Sequence, residues 1–304
     1  MENNTIMPYR QLGNSALNVS RVSFGCMSLK AEVTNFNTVI AAAIDNGINF
    51  FDTADLYDHG LNEVCLGKAV KEKREQVIIA TKVGNEWKPD GSGFSWNPNK
   101  KYIISAVEES LKRLQTDYID LYQLHGGTIE DDIDDTIDAF EILMQQGKIR
   151  YYGISSIRPN VIREYVKRSN IVSVMMQYSL LDRRPEESCL PLLKEHNIGV
   201  LARGSIASGL LAGKEAMAYG GYVENEVKNA ANAIKLVAMA NSKMAATAIA
   251  YVLENSAITT AVVGVRNMHQ FLETLEVNIK NNFTTNEMQL LNSSVLINHY
   301  NQHR

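Results

Sequence analysis

Eight short apolar runs punctuate the chain: RVSFGC, INFFDT, VIIATK, YIDLYQLH, IRYYGISS, VSVMMQYS, NIGVLARG and ITTAVVGV. Each is rich in β-branched or aromatic residues and is closed by polar or turn-forming ones, the pattern of a strand buried on both faces. Amphipathic stretches at helical spacing lie between them, among them Tyr102 to Leu114, Asp135 to Gln146 and Met244 to Leu253. Strict alternation of strand and helix implies parallel pairing through right-handed crossovers, and eight such units are the number that closes a barrel. The expected fold is therefore α/β, a (β/α)8 TIM barrel in a single domain over residues 1–304, with active-site loops at the C-terminal ends of the strands. The competing architecture is an open doubly wound sheet, but no GxGxxG opens a helix after any of the runs.

A polar leader precedes the first run, and two connections are longer than the rest. One runs from Gly84 to Lys100 and contains Trp87 and Trp96; the other runs from Gly213 to about Asn225 and is rich in Gly and Tyr. Both follow strands, so both are expected to overhang the active face. No low-complexity tract or Pro/Gly/Ser-rich linker divides the chain.

Composition narrows the partners. The formal net charge of −4 is spread over interspersed acidic and basic residues, which points away from nucleic acid and from an anionic membrane surface. Three cysteines, Cys26, Cys65 and Cys189, are an odd number without metal-ligand spacing. They argue against a disulfide framework and a structural metal site, and no metal is expected. With no signal-like or membrane-spanning apolar segment in the sequence, the expected setting is the cytoplasm.

The chemistry gathers where the runs end. Asp52, Tyr57, Lys82 and His125 stand at or just past the ends of three successive strands, where a parallel barrel carries its reactive groups. A phenol has an ordinary pKa of about 10 and donates a proton near neutrality only if its phenolate is stabilised. An ammonium at Lys82 would supply that, Asp52 would hold the ammonium, and His125 would hydrogen-bond a carbonyl oxygen. Singly, each has a structural explanation: a helix cap, a loop aromatic, a solvated strand end. Together they describe a site that polarises C=O and protonates the alkoxide formed when hydride arrives from a redox cofactor.

The segments YRQLGNSALNVSRVSFGCM, FFDTADLY, ATKVG, DYIDLYQLH, GKIRYYGISS, MMQYSLLDR and AVVGVRNMHQ, in this order through nearly the whole chain, resemble the aldo-keto reductase family. The four polar residues correspond to that family's catalytic tetrad. The resemblance implies a barrel that binds NADP(H), in preference to NAD(H), without a Rossmann domain, with Tyr57 as general acid in the reduction of an aldehyde or ketone. It implies that Ser155, Ser156 and Gln177 hold the nicotinamide carboxamide, with Asp52 beside the cofactor. Cys26 and Met27 match cofactor-lining positions and could equally be packing residues. The stretch ARGSIASGLLAGK resembles the loop over nicotinamide and pyrophosphate, placing Arg203, Gly204, Ser205, Ile206, Gly209 and Lys214 near the cofactor. Many members have an aromatic where Arg203 stands and Pro where Ser205 stands, so nicotinamide stacking would pass to a guanidinium plane. In GVRNMHQFLET, Gly264 ends the last strand, Arg266 would grip the adenosine 2′-phosphate, and Gln270, Glu273 and Thr274 would follow, the last two facing the adenine. Thr274 replaces a frequent Asn.

Two other functions compete. One is a cofactor-sensing regulatory subunit of the same family with slow turnover, disfavoured because the His matching His125 is commonly replaced there. The other is a barrel hydrolase or lyase, which would need a paired-carboxylate or metal site that these strand ends lack. Trp87 and Trp96 could wall the pocket of a small-molecule carbonyl or alcohol substrate, or could pack the long connection against the barrel. The substrate itself, the direction of reaction and the oligomeric state are not encoded in any pattern of this kind.

Overall fold

All eight apolar runs become strands: β1 (Val22–Gly25), β2 (Phe50–Asp52), β3 (Ile78–Val83), β4 (Ile119–Leu124), β5 (Ile149–Ser155), β6 (Ser173–Gln177), β7 (Gly199–Arg203) and β8 (Ile258–Gly264). In the computed structural model, which describes residues 7–30, 35–241, 243–277 and 283–304, each pairs in parallel with the next and β8 returns to β1, closing the barrel. The first six residues of the leader lie outside the described ones. Around the barrel run α1 (Phe36–Asp45), α2 (Leu61–Val70), α3 (Lys100–Leu114), α4 (Ile133–Gln145), α5 (Pro159–Arg168), α6 (Cys189–Glu195), α7 (Glu224–Asn241), α8 (Met244–Glu254), α9 (Met268–Leu275) and α10 (Thr285–Ser293). Two start earlier than apolar spacing suggested because caps set their ends: Asn99 accepts the Tyr102 N–H and Asp132 accepts the Asp135 N–H. Among the described residues no helix is long and apolar enough to cross a membrane.

Strand side chains alternate faces, and this alternation places the site. Phe50, Ala80, Leu121, Met175, Leu201 and Val262 fill the barrel interior. Two residues further along the same six strands, on the same face, stand Asp52, Lys82, Gln123, Gln177, Arg203 and Gly264. An apolar layer thus becomes a polar one in a single step at the C-terminal mouth.

Two segments differ from the sequence expectation. Part of the polar leader is a hairpin, Tyr9–Gln11 against Asn18–Ser20, whose Leu12, Leu17 and Val19 join the interior cluster. It plugs the N-terminal mouth, with Gly13 packed on the Val172 carbonyl and the Gly199 amide at the start of β7. The connection after β3 is likewise an antiparallel hairpin, Asn85–Trp87 against Phe94–Trp96. Polar residues hid the first, and the short strands of the second lack an alternating pattern.

Helices α2 and α3 touch at backbone distance. A Cβ built on Gly67 would lie 2.3 Å from the Leu114 carbonyl oxygen and 2.8 Å from Leu114 Cα, neither of which can yield without moving α3. Gly67→Ala is expected to cost about 1–3 kcal/mol in urea-induced unfolding.

Candidate active site

Lys82 is 1% exposed, and its ammonium uses all three protons. Nζ donates to Asp52 Oδ2 at 2.7 Å, to the Thr53 carbonyl at 2.7 Å and to the Tyr57 hydroxyl at 3.1 Å. The geometry follows from register. Asp52 pairs with Ala80, and β3 runs two residues past that point, so Lys82 rises on the interior face beside the end of β2. There the chain turns out of the strand, freeing the Thr53 carbonyl and bringing Tyr57 back over the mouth. Gln123, the strand partner of Lys82, approaches Asp52 Oδ1 with its Nε2 at 3.4 Å. The sequence reading missed Gln123, although it lies two residues before His125 and shares its face.

Electrostatics here are set by burial. It penalises the Asp52 carboxylate and raises its pKa, against the pull of Lys82. Burial alone would lower Lys82, but Asp52 and Tyr57 outweigh it and hold the ammonium above its ordinary range. We take the pair as ammonium and carboxylate, because Nζ faces only acceptors. Tyr57 corrects the sequence argument: the ammonium does lower its pKa, but burial outweighs that and the phenol lies above its ordinary value. The hydroxyl therefore stays protonated in the resting site.

His125 packs edge-on against Tyr57, ring centroids 5.9 Å apart. Its amide donates to the Val83 carbonyl, its carbonyl accepts from Asn85 Nδ2, and Nδ1 has no partner. Burial, then Lys82 and Arg203, push its pKa down to about 3, so the imidazole is neutral at physiological pH. On the rim, Trp87 stacks on His59 at 3.7 Å and meets Phe94 edge-on. His59, on the same turn as Tyr57, carried no sequence signal. Trp96 is engaged in packing: its ring fills the space above Gly84 and Gly126, where a Cβ would come within 2.7 and 3.1 Å, and Nε1 donates to Asp131.

The remaining sequence-selected residues divide. At the ends of adjacent β6 and β7, Arg203 Nη1 donates to Gln177 Oε1 at 3.1 Å, and Gln177 Nε2 donates to the Tyr219 hydroxyl at 3.2 Å. Ser155 ends β5 beside them, while the Ser156 hydroxyl already accepts from the Arg158 amide. Gly204 and Gly209 take left-handed backbone in the following loop. Within that loop Ser205 is buried with an unpartnered hydroxyl, Ile206 is half-buried, and Lys214 is exposed beside Gly209. Gly264 closes β8, and Gln270 Oε1 accepts the Arg266 amide, so Gln270 shapes the turn that presents Arg266. Glu273 is half-buried one turn on, near His269. One placement differs from expectation. Thr274 is buried, its hydroxyl donating to the Phe271 carbonyl, and so does not face outward toward an adenine. Cys26 lies wholly in the core, whereas Met27 is 58% exposed.

Comparison with known proteins agrees with this fold. The profile of the Aldo/keto reductase family matches residues 21–295. The chain is 49% identical over 307 aligned residues to the uncharacterized oxidoreductase YqkF of Bacillus subtilis strain 168, covering 98% of this chain and 100% of that one. Among solved structures it is similar to the aldo-keto reductase AKR11C1 of Bacillus halodurans. The holo form is 47% identical with a TM-score of 0.91 and the apo form 46% identical with 0.83, each covering 98% of this chain and 99% of the other.

The neutral His125 has a consequence for stability. The unfolded chain takes up the imidazole proton below about pH 6.5, while the folded form resists until about 3, so stability attributable to His125 falls as pH falls through that window. His125→Gln is expected to remove this component, its melting temperature improving relative to the parent as the pH drops.

Proposed function

The chain belongs to the aldo/keto reductase family, and we propose that it is an NADP(H)-dependent oxidoreductase, acting as one domain over residues 1–304, that reduces aldehyde or ketone carbonyls to alcohols. The observation that carries this reading is the buried ammonium of Lys82, shared among Asp52, the Thr53 carbonyl and the Tyr57 hydroxyl. It is a device for stabilising a phenolate at the moment a proton leaves.

In this mechanism Tyr57 is the general acid, passing its proton to the oxygen of the carbonyl as negative charge develops there. Lys82 offsets the charge left on the phenolate, and Asp52 holds the ammonium during the transfer. His125, neutral and fixed by its backbone contacts to the neighbouring strand and hairpin, hydrogen-bonds the carbonyl oxygen and orients it toward Tyr57. Bound NADPH supplies the hydride.

Several observations favour a nucleotide at this mouth. The Ser205 hydroxyl is buried and unpartnered, and left-handed backbone at Gly204 and Gly209 opens the loop after β7 to close approach. Ser155, Ser156 and Gln177 would hold the carboxamide and Arg203 would lie beside the nicotinamide; Ile206 and Lys214 belong to the same loop. Arg266 is exposed at the start of α9, its side chain without an ion pair among the described residues, and suits a 2′-phosphate. Of the two tryptophans, Trp87 with His59 is the better candidate for a substrate wall, because Trp96 anchors the hairpin.

Tyr57→Phe is expected to bind NADPH with unchanged affinity in fluorescence titration while losing about 10²–10⁴-fold in turnover of an aldehyde panel. Failure of the parent protein to bind either nucleotide would end this reading. Arg266→Ala is expected to weaken NADPH by about tenfold to a hundredfold and NADH little, as loss of a charge-assisted contact predicts.

A further inference from the structure

A second group of charges, which this mechanism does not use, lies behind the turn that carries Tyr57. Glu63, in the first turn of α2, is fully buried. Its Oε1 accepts the Thr81 hydroxyl at 2.6 Å, from the strand face opposite Lys82, and its Oε2 accepts Arg113 Nε at 2.6 Å, from α3. The Arg113 stem packs on Gly60, where a Cβ would come within 2.7 Å of Arg113 Cδ. Gly60, left-handed at φ +83°, closes the turn Tyr57–Gly60. Two residues before that turn Asp55 is 8% exposed, its amide directed at the Lys82 carbonyl, its carboxyl group meeting the Leu56 amide and its Oδ1 without a partner.

Charge counting shows the tension. Glu63 on α2 holds the guanidinium of Arg113 on α3, and Asp55, just before the turn, lies within the field of both. Lys82 on β3 is the other cation that Asp55 feels, and it is already engaged with Asp52. The remaining groups that feel Asp55 are the phenols of Tyr102 on α3 and Tyr122 on β4, the latter with an unpartnered buried hydroxyl. Two buried carboxylates against one counterion leave an uncompensated charge, which a retained proton removes.

We propose that Asp55, Glu63 and Arg113 form a positioning cluster that holds the Tyr57 turn over Lys82, and that the cluster keeps this geometry only while Asp55 retains its proton. Burial, reinforced by Glu63, raises Asp55 to about 8. Above that range two buried like charges face one guanidinium behind the turn, and the Tyr57 hydroxyl is drawn off Lys82. The catalytic consequence rests on the reductase reading; the retained proton does not. Because the unfolded chain releases that proton at about pH 4, stability attributable to Asp55 is greatest in acid and falls as pH rises to about 8.

The test compares the whole protein with Asp55→Asn, which mimics the neutral acid, and with Glu63→Gln. Infrared difference spectra at about pH 7 are expected to show a protonated-carboxyl stretch in the parent that titrates away near pH 8, is absent from Asp55→Asn and titrates at lower pH in Glu63→Gln. The melting temperature of Asp55→Asn should gain on the parent between about pH 4 and 8. With NADPH and an aldehyde, kcat of the parent should fall above about pH 8 while that of Asp55→Asn persists, with KM for NADPH unmoved. No protonated-carboxyl band near neutrality, or the same alkaline fall in kcat in both proteins, would overturn the proposal. A band that titrates as expected, in proteins that turn over no carbonyl, would uphold the proton and overturn the reductase reading.

Discussion

An ammonium can be buried only if each of its protons meets an acceptor, and around Lys82 that requirement shapes the mouth of the barrel. Asp52 must end β2 level with Ala80, so that β3 overtakes it by two residues. Thr53 must leave the strand with its carbonyl free, and the chain must return within five residues of Asp52 to present Tyr57. Any one of these can be moved only by leaving a proton without a partner inside a wall of apolar side chains. Truncating Asp52 would therefore do more than remove a counterion, because it would strand the ammonium.

The same enclosure sorts the titratable groups by what they can do. Tyr57 and His125 are both driven toward their neutral forms, one by a raised and the other by a lowered pKa. Two neutral hydrogen-bond donors thus flank a charge that does not change. That arrangement suits a reaction in which charge appears on the substrate and is answered at once, without the protein ionising beforehand. Arg203 adds a second positive field at the rim while donating to Gln177.

What the sequence made legible was whatever depends on period. The eight strands could be read because burial on both faces demands continuous apolar runs, and the four polar residues stood out because they end such runs. The N-terminal hairpin escaped because only Leu12, Leu17 and Val19 among its polar neighbours enter the core, too few and too scattered to form the apolar run of four or more residues that marks a strand. Thr274 was misplaced because segment matching aligns positions but not helix faces, and one residue along α9 turns a side chain by a large angle. Glu63 and Arg113 were invisible as partners for another reason: they are 50 residues apart, and only the packing of α3 on α2 brings them together. Gln123 alone was within reach, since the alternation that exposed His125 applies two residues earlier as well.

Among the described residues the hairpin Asn85–Trp96 has no strand partner beyond itself, and its base is fastened at two points: Trp96, packed over Gly84 and Gly126 with Nε1 on Asp131, and Asn85, whose Nδ2 donates to the His125 carbonyl. Its tip, where the Lys88 amide meets the Gly93 carbonyl, lies beyond those anchors and away from the strands that hold Lys82 and His125. Selection can therefore rewrite that tip without renegotiating the core, and the two are free to evolve at different rates.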